Sequence, residues 1–85
     1  MDFRLKVFYS VATNLSFTKA SHELFISQPA ISKHIRELEQ RFETPLFERN
    51  GNKIQLTRAG ELLLSHAQSL LAAYRQLNFE MNLLT

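Results

Sequence analysis

Apolar residues recur along this chain in short blocks, and their spacing changes from block to block. Leu5, Phe8 and Ala12 fall at i, i+3 and i+7 and predict a first helix running to about Thr13, with Asp2 as its N-cap. Asn14-Leu15 interrupts it. Ser16 is the next N-cap candidate, and Phe17, Ala20 and Leu24 line one face of a short second helix. Phe25-Ile26-Ser27 leaves room only for a tight turn. Ser27 then caps a third helix with Pro29 in its first turn, where a missing N–H costs nothing. Ile31, Ile35, Leu38 and Phe42 form its apolar stripe, so it ends near Phe42 or Glu43. Two short runs, Thr44 to Arg49 and Lys53 to Leu56, flank Asn50-Gly51-Asn52 and read as a β-hairpin. Thr57 caps a last helix that only Gly60 interrupts; at about 1.5 Å per residue it is roughly 40 Å long.

The last helix carries a second pattern. Leu63, Ala67, Leu70, Tyr74, Leu77, Met81 and Leu84 alternate spacings of four and three, an unbroken heptad seam widened by Leu64, Leu71 and Phe79. Its early part, Leu62 to Ala67, packs on its own domain in this reading. Beyond Leu70 three short helices are too small to cover the stripe, which predicts pairing with a second copy. Glu61, Arg75 and Glu80 are too few to set the orientation of the pair. The fold class expected is therefore mainly α. A winged helix-turn-helix, a three-helix bundle plus a β-hairpin wing, spans residues 1–57, and a long linker or dimerisation helix spans 58–85.

Around the third helix, at about 100° per residue, Gln28, Pro29, Ser32, Lys33, Arg36 and Gln40 share an arc opposite the apolar stripe, and none is acidic. Glu37 and Arg41 fall outside it, spaced to pair at i, i+4. Glu39 falls near it, but toward the C-terminal end, whereas a helix that reads the major groove enters by its N-terminal part. Gln28 suits adenine N6/N7, and Lys33 and Arg36 suit guanine O6/N7 or a phosphate. Ser27 and Ser32 add short hydroxyls beside the free N–H groups of the helix start. Taken alone, this polar face fits a solvated amphipathic helix better than a reading helix. The short preceding helix, the tight turn, the capping serine and the flanking hairpin reverse that balance. Thr18 opens the second helix, which crosses the DNA backbone in this motif, and Arg49 and Lys53 flank the hairpin tip.

Composition narrows the choice only a little. Eighty-five residues fit one small domain with a marginal core. The net charge of +2 and pI near 9.3 are a weak pointer to nucleic acid. Between Lys19 and Lys53 basic and acidic residues nearly cancel, so any DNA-facing surface must come from sorting charge by helix face. The absence of cysteine excludes disulfides and thiolate metal ligands and leaves oligomerisation as the usual staple for so small a core. No signal peptide or membrane span is expected, and the localisation expected is cytoplasmic. His22, His34 and His66 lie on three different helices without a carboxylate cluster, so no metal, cofactor or catalytic site is expected. The remaining rival is a pure protein-interaction module, which the fold alone does not exclude.

The run Phe17-Thr18-Lys19-Ala20, Leu24, Ser27 to Ser32, Ile35 and Leu38-Glu39 resembles the N-terminal domain of LysR-type transcriptional regulators. The likeness continues through Pro45-Leu46-Phe47, Arg49, Leu56-Thr57, Ala59-Gly60 and Leu63-Leu64. The resemblance implies a bacterial, homodimeric or tetrameric regulator that binds an inverted-repeat operator in double-stranded DNA. It also implies an antiparallel pair of linker helices and a separate effector-binding domain that this chain lacks. Its DNA contacts would fall on Thr18, Ser27, Gln28, Pro29, Ser32, Lys33 and Arg36, with Arg49 and Lys53 from the wing. Three positions depart from the family pattern: Ser21 replaces a usual alanine, Phe25 occupies the turn, and Glu43 stands where a glycine usually ends the third helix. A left-handed backbone at Glu43 would cost about 1 kcal/mol.

Overall fold

A computed structural model describes residues 3–85, so the expected N-cap Asp2 lies outside the described residues. The elements run α1 (Phe3–Asn14), α2 (Phe17–Leu24), α3 (Gln28–Phe42), β1 (Phe47–Asn50), β2 (Lys53–Leu56) and α4 (Arg58–Leu83). The expected serine and threonine caps form. Ser16 accepts from Lys19 N, Ser27 from Ala30 N and Thr57 from Gly60 N, each satisfying a first-turn donor. The strands pair antiparallel with Asn50 opposite Lys53. The two-residue turn is thus Gly51-Asn52, one position later than an Asn-Gly centre, and Gly51 supplies the positive φ of 62° that a tight hairpin needs first.

Three helices end without glycine. Leu15, Phe25 and Glu43 all adopt the left-handed region, with φ of 48°, 58° and 55°. At the end of α2, Ile26 N donates to Ser21 O (3.1 Å). At the end of α3, Thr44 N donates to Glu39 O (3.1 Å) and Glu43 N to Gln40 O (3.3 Å). This is Schellman closure, which answers the orphan carbonyls of the last turn but normally uses glycine. The exit at Glu43 is therefore ordinary in geometry and strained in residue type. Glu43→Gly should raise the unfolding free energy by about 0.5–1 kcal/mol, checked by urea denaturation; a loss of stability would show that the side chain is not strained there.

The core forms where α1 meets α2, α3 and α4. Phe8, Val7, Val11, Ala20, Ile31 and Leu46 are fully or almost fully buried, with Ile35, Leu38 and Ala67 closing around them. The rings of Phe8 and Phe17 both approach Phe47, which pins the base of the wing to the bundle. Phe42 departs from the predicted stripe: it is half exposed, at the edge of an apolar trough that Leu46 and Leu62 also line. Glu37 also departs from its expected i, i+4 partner and reaches Arg4 on α1 (3.8 Å) and His34 (3.6 Å). A polar tie joins α1 to α2: Ser10 Oγ and Asn14 Nδ2 both donate to Glu23 Oε2, at 2.6 and 2.7 Å. Those donors, Ser10 foremost, hold the Glu23 carboxyl below the usual carboxylate range.

Residue 60 is glycine for lack of space. A Cβ there would overlap the Leu46 carbonyl oxygen and lie 2.9 Å from Leu56 Cδ2. Thr57 N donates to that same carbonyl (3.0 Å), and Thr57 Oγ1 donates to Pro45 O (2.7 Å). The base of the wing and the first turn of α4 are therefore one packed joint.

Candidate nucleic-acid interface

The first turns of α2 and α3 lie side by side, bridged by a hydrogen bond from Gln28 Nε2 to Thr18 Oγ1 (2.8 Å). Of the residues proposed from sequence on these helices, Thr18, Ser27, Gln28, Pro29, Lys33 and Arg36 are exposed, and Ser32 is half buried. They form one continuous basic and polar face, opposite the buried Ile31, Ile35 and Leu38.

The acid that spacing puts near this face, Glu39, is tied to the base of the wing. Glu39 Oε2 accepts from Leu46 N (2.8 Å) and more weakly from Phe47 N (3.5 Å), where the chain enters β1. Two backbone donors at the wing base thus hold the carboxylate, beside Arg36 in the groove between wing and α3. Sequence spacing placed Glu39 near the arc, but its destination depends on a contact seven residues away.

The wing divides its two cations. Lys53 is exposed at the tip, directly after the turn. Arg49 is set further back, opposite Ile54, and its guanidinium carbon lies 5.2 Å from the centroid of the Phe17 ring. That cation–π contact holds Arg49 at the groove between wing and α3, which Ser32, Arg36 and Glu39 also line. Arg49 and Arg36 thus face a shared channel, whereas Lys53 stands outside it. Alternation along β1 could have placed Arg49 on the same face as Phe47; its partner ring comes from α2.

The seam on α4 splits in two. Ala67, which the seam offers to a dimer interface and the early stretch to its own domain, is fully buried in the domain core. Leu63 is half buried; Leu64 and Leu71 turn toward the core. Leu70, Tyr74, Leu77, Met81 and Leu84 remain exposed. Leu62, expected to pack on the domain, is exposed and forms an apolar trough with Phe42, Leu63 and Leu70.

Residues 3–61 match the family described as "Bacterial regulatory helix-turn-helix protein, lysR family". The chain belongs to the LysR family. A probable RuBisCO transcriptional regulator of Nostoc sp. is 41% identical over 69 residues, covering 81% of this chain and 20% of that protein. This LysR-family chain therefore spans about a fifth of such a relative's length. A LysR-family regulator from Eggerthella lenta, solved at 1.60 Å, shares 43% identity with a TM-score of 0.76, covering 80% of this chain and 97% of that one. The CbnR DNA-binding domain, solved as a complex with DNA, aligns with a TM-score of 0.88 at 31% identity, over 96% of this chain and 95% of that one. The fold is thus that of a LysR-type DNA-binding domain with its long C-terminal helix, and the relatives are transcriptional regulators rather than enzymes. Among the described residues no cluster of His, Cys, Asp and Glu could hold a metal ion, and no helix is long and apolar enough to cross a membrane.

Proposed function

We propose that this LysR-type DNA-binding domain binds an inverted-repeat operator sequence-specifically, as a homodimer paired through α4. Residues 1–57 form the reading head and 58–85 the pairing helix of a cytoplasmic bacterial regulator. In the full-length protein an effector-binding domain follows, and pairs can assemble into tetramers. The observation that carries the reading is the face of exposed Gln28, Lys33 and Arg36 with half-buried Ser32, the nearby carboxylate of Glu39 being held by backbone donors of the wing base. The N-terminal half of α3 lies in the major groove, with Gln28, Lys33 and Arg36 at base edges or phosphates and Pro29 against a thymine methyl. Ser27 and Thr18 meet the backbone from the two helix starts. Arg49 and Lys53 meet it from the wing. Pairing rests on the exposed apolar row Leu70, Tyr74, Leu77, Met81 and Leu84, with Leu63 at its inner end.

Selection from random duplexes, followed by binding at several salt concentrations, tests this. Binding should fall linearly in log–log with salt, as phosphate neutralisation requires. Arg36→Ala should cost about 1–3 kcal/mol and relax preference at one base pair, while Lys53→Ala weakens all sequences alike. Salt-insensitive binding, or selection of no sequence, would favour a protein-interaction module instead.

A further inference from the structure

Thr18 and Gln28 belong to different helices, yet their side chains are joined at 2.8 Å, with the glutamine amide as donor and the threonine hydroxyl as acceptor. We infer that Thr18 is a positioning residue for base readout: its hydroxyl fixes the Gln28 amide so that the edge that reads a base faces outward. The inference rests on the DNA-binding reading of α3.

The chemistry of the amide carries the argument. One of its two N–H groups shares an edge with Oε1; the other points back along the side chain. An adenine presenting N7 and N6 needs the first N–H and Oε1 together. When Thr18 takes the second N–H, that edge is left whole and its orientation is settled. Because the threonine oxygen acts as acceptor, its own proton is free to go to a backbone phosphate. A phosphate holding that proton also prevents the amide from turning over, since Thr18 then has no proton to offer Oε1. One hydroxyl thereby couples backbone register to base identity.

The elements on either side are built to hold this geometry. Gln28 is the first residue of α3, immediately after the Ser27 cap, and Thr18 is in the first turn of α2, immediately after the Ser16 cap. Ser21, itself buried, donates its hydroxyl to the Thr18 carbonyl (2.8 Å) and steadies that turn from below. A long, flexible glutamine otherwise loses much rotamer freedom on meeting DNA, and a partner that restricts it beforehand lowers that cost. The bond is exposed and weak in the free protein; exclusion of water on binding strengthens it.

The test uses this chain and a duplex recovered from random-sequence selection, with each base pair of its half-site then replaced in turn. Dissociation constants are measured for wild type, Gln28→Ala, Thr18→Val, Thr18→Ser and the Thr18→Val/Gln28→Ala double variant, with helicity checked for each. Gln28→Ala identifies the base pair that Gln28 reads. Thr18→Val should reduce discrimination at that same base pair by roughly fivefold, the worth of about one hydrogen bond. It should leave other positions and the salt slope unchanged and have no further effect on discrimination when Gln28 is already alanine. Thr18→Ser should restore discrimination. If Thr18→Val instead weakens every duplex by one factor with discrimination intact, Thr18 is a phosphate contact alone and the inference fails. If wild type shows no salt-sensitive duplex binding, the DNA-binding reading fails and takes the inference with it.

Discussion

Gly60→Ala is expected to destabilise the domain by about 3–5 kcal/mol, among the largest effects available to a single methyl group. Alanine is the better helix former, so propensity predicts the opposite sign. Space decides the matter. The added carbon would overlap the Leu46 carbonyl oxygen and crowd Leu56, and the first of these is backbone that accepts the Thr57 N–H. Relief requires the wing base to lift off α4, which breaks the joint and unseats the buried Leu46. A domain of this length has a total stability of only about 4–13 kcal/mol, so the variant should lose a large share of it and melt at a markedly lower temperature. Thermal denaturation followed by circular dichroism measures it. Gly51→Ala is the control: nothing lies within 4 Å of a Cβ there, and only the positive φ is strained, so about 1 kcal/mol is expected. Equal, small effects at the two glycines would contradict the close-approach account.

The second large effect concerns pairing. Leu70→Glu with Leu77→Glu should yield a folded monomer whose affinity for an inverted-repeat duplex falls by about 100-fold or more, because its two half-sites are no longer bound by linked reading heads. The side chains are 41% and 52% exposed, so the carboxylates meet water in the single chain and charge repulsion only in a pair. Sedimentation and duplex binding read the two consequences separately. A variant shown to be monomeric that keeps full affinity for the inverted repeat would remove the case for a dimer through α4. Affinity for a single half-site should be unchanged in either case.

Much of this architecture is legible in the amino-acid order, for a reason particular residues make clear. Ser16, Ser27 and Thr57 cap helices by contacts three residues away, and the apolar rhythm of Ile31, Ile35 and Leu38 needs only the geometry of one helix. What spacing misses are the contacts that cross elements. Glu39 reaching the wing backbone, Arg49 over Phe17, Gln28 on Thr18 and Glu37 on Arg4 each require knowing how two elements dock. Leu62 shows the same limit from the other side. Spacing states which residues share a helix face, not which of them a neighbour covers. The core claims Ala67 and leaves the face from Leu70 onward open, as the size of the domain suggests, yet Leu62 of the stretch expected to pack is exposed. The candidate interface was therefore visible as a set of residues, while the division of labour within it was not.

The joint of Thr57 and Gly60 against Pro45 and Leu46 has a mechanical consequence. α4 is 26 residues long, held from the wing base through Ala67 to Leu71 by the domain core, and the 12 residues beyond form a stiff rod of about 18 Å. A tilt of about 10° where the rod leaves the core sweeps the far end through roughly 3 Å, and the reverse holds. A load that displaces the distal end by an atomic diameter is geared down to a small rotation of α4 against α1 and the wing base. In the proposed pair, the spacing between the two wings would then be an angular setting, adjustable from a distance without touching the residues proposed to face DNA.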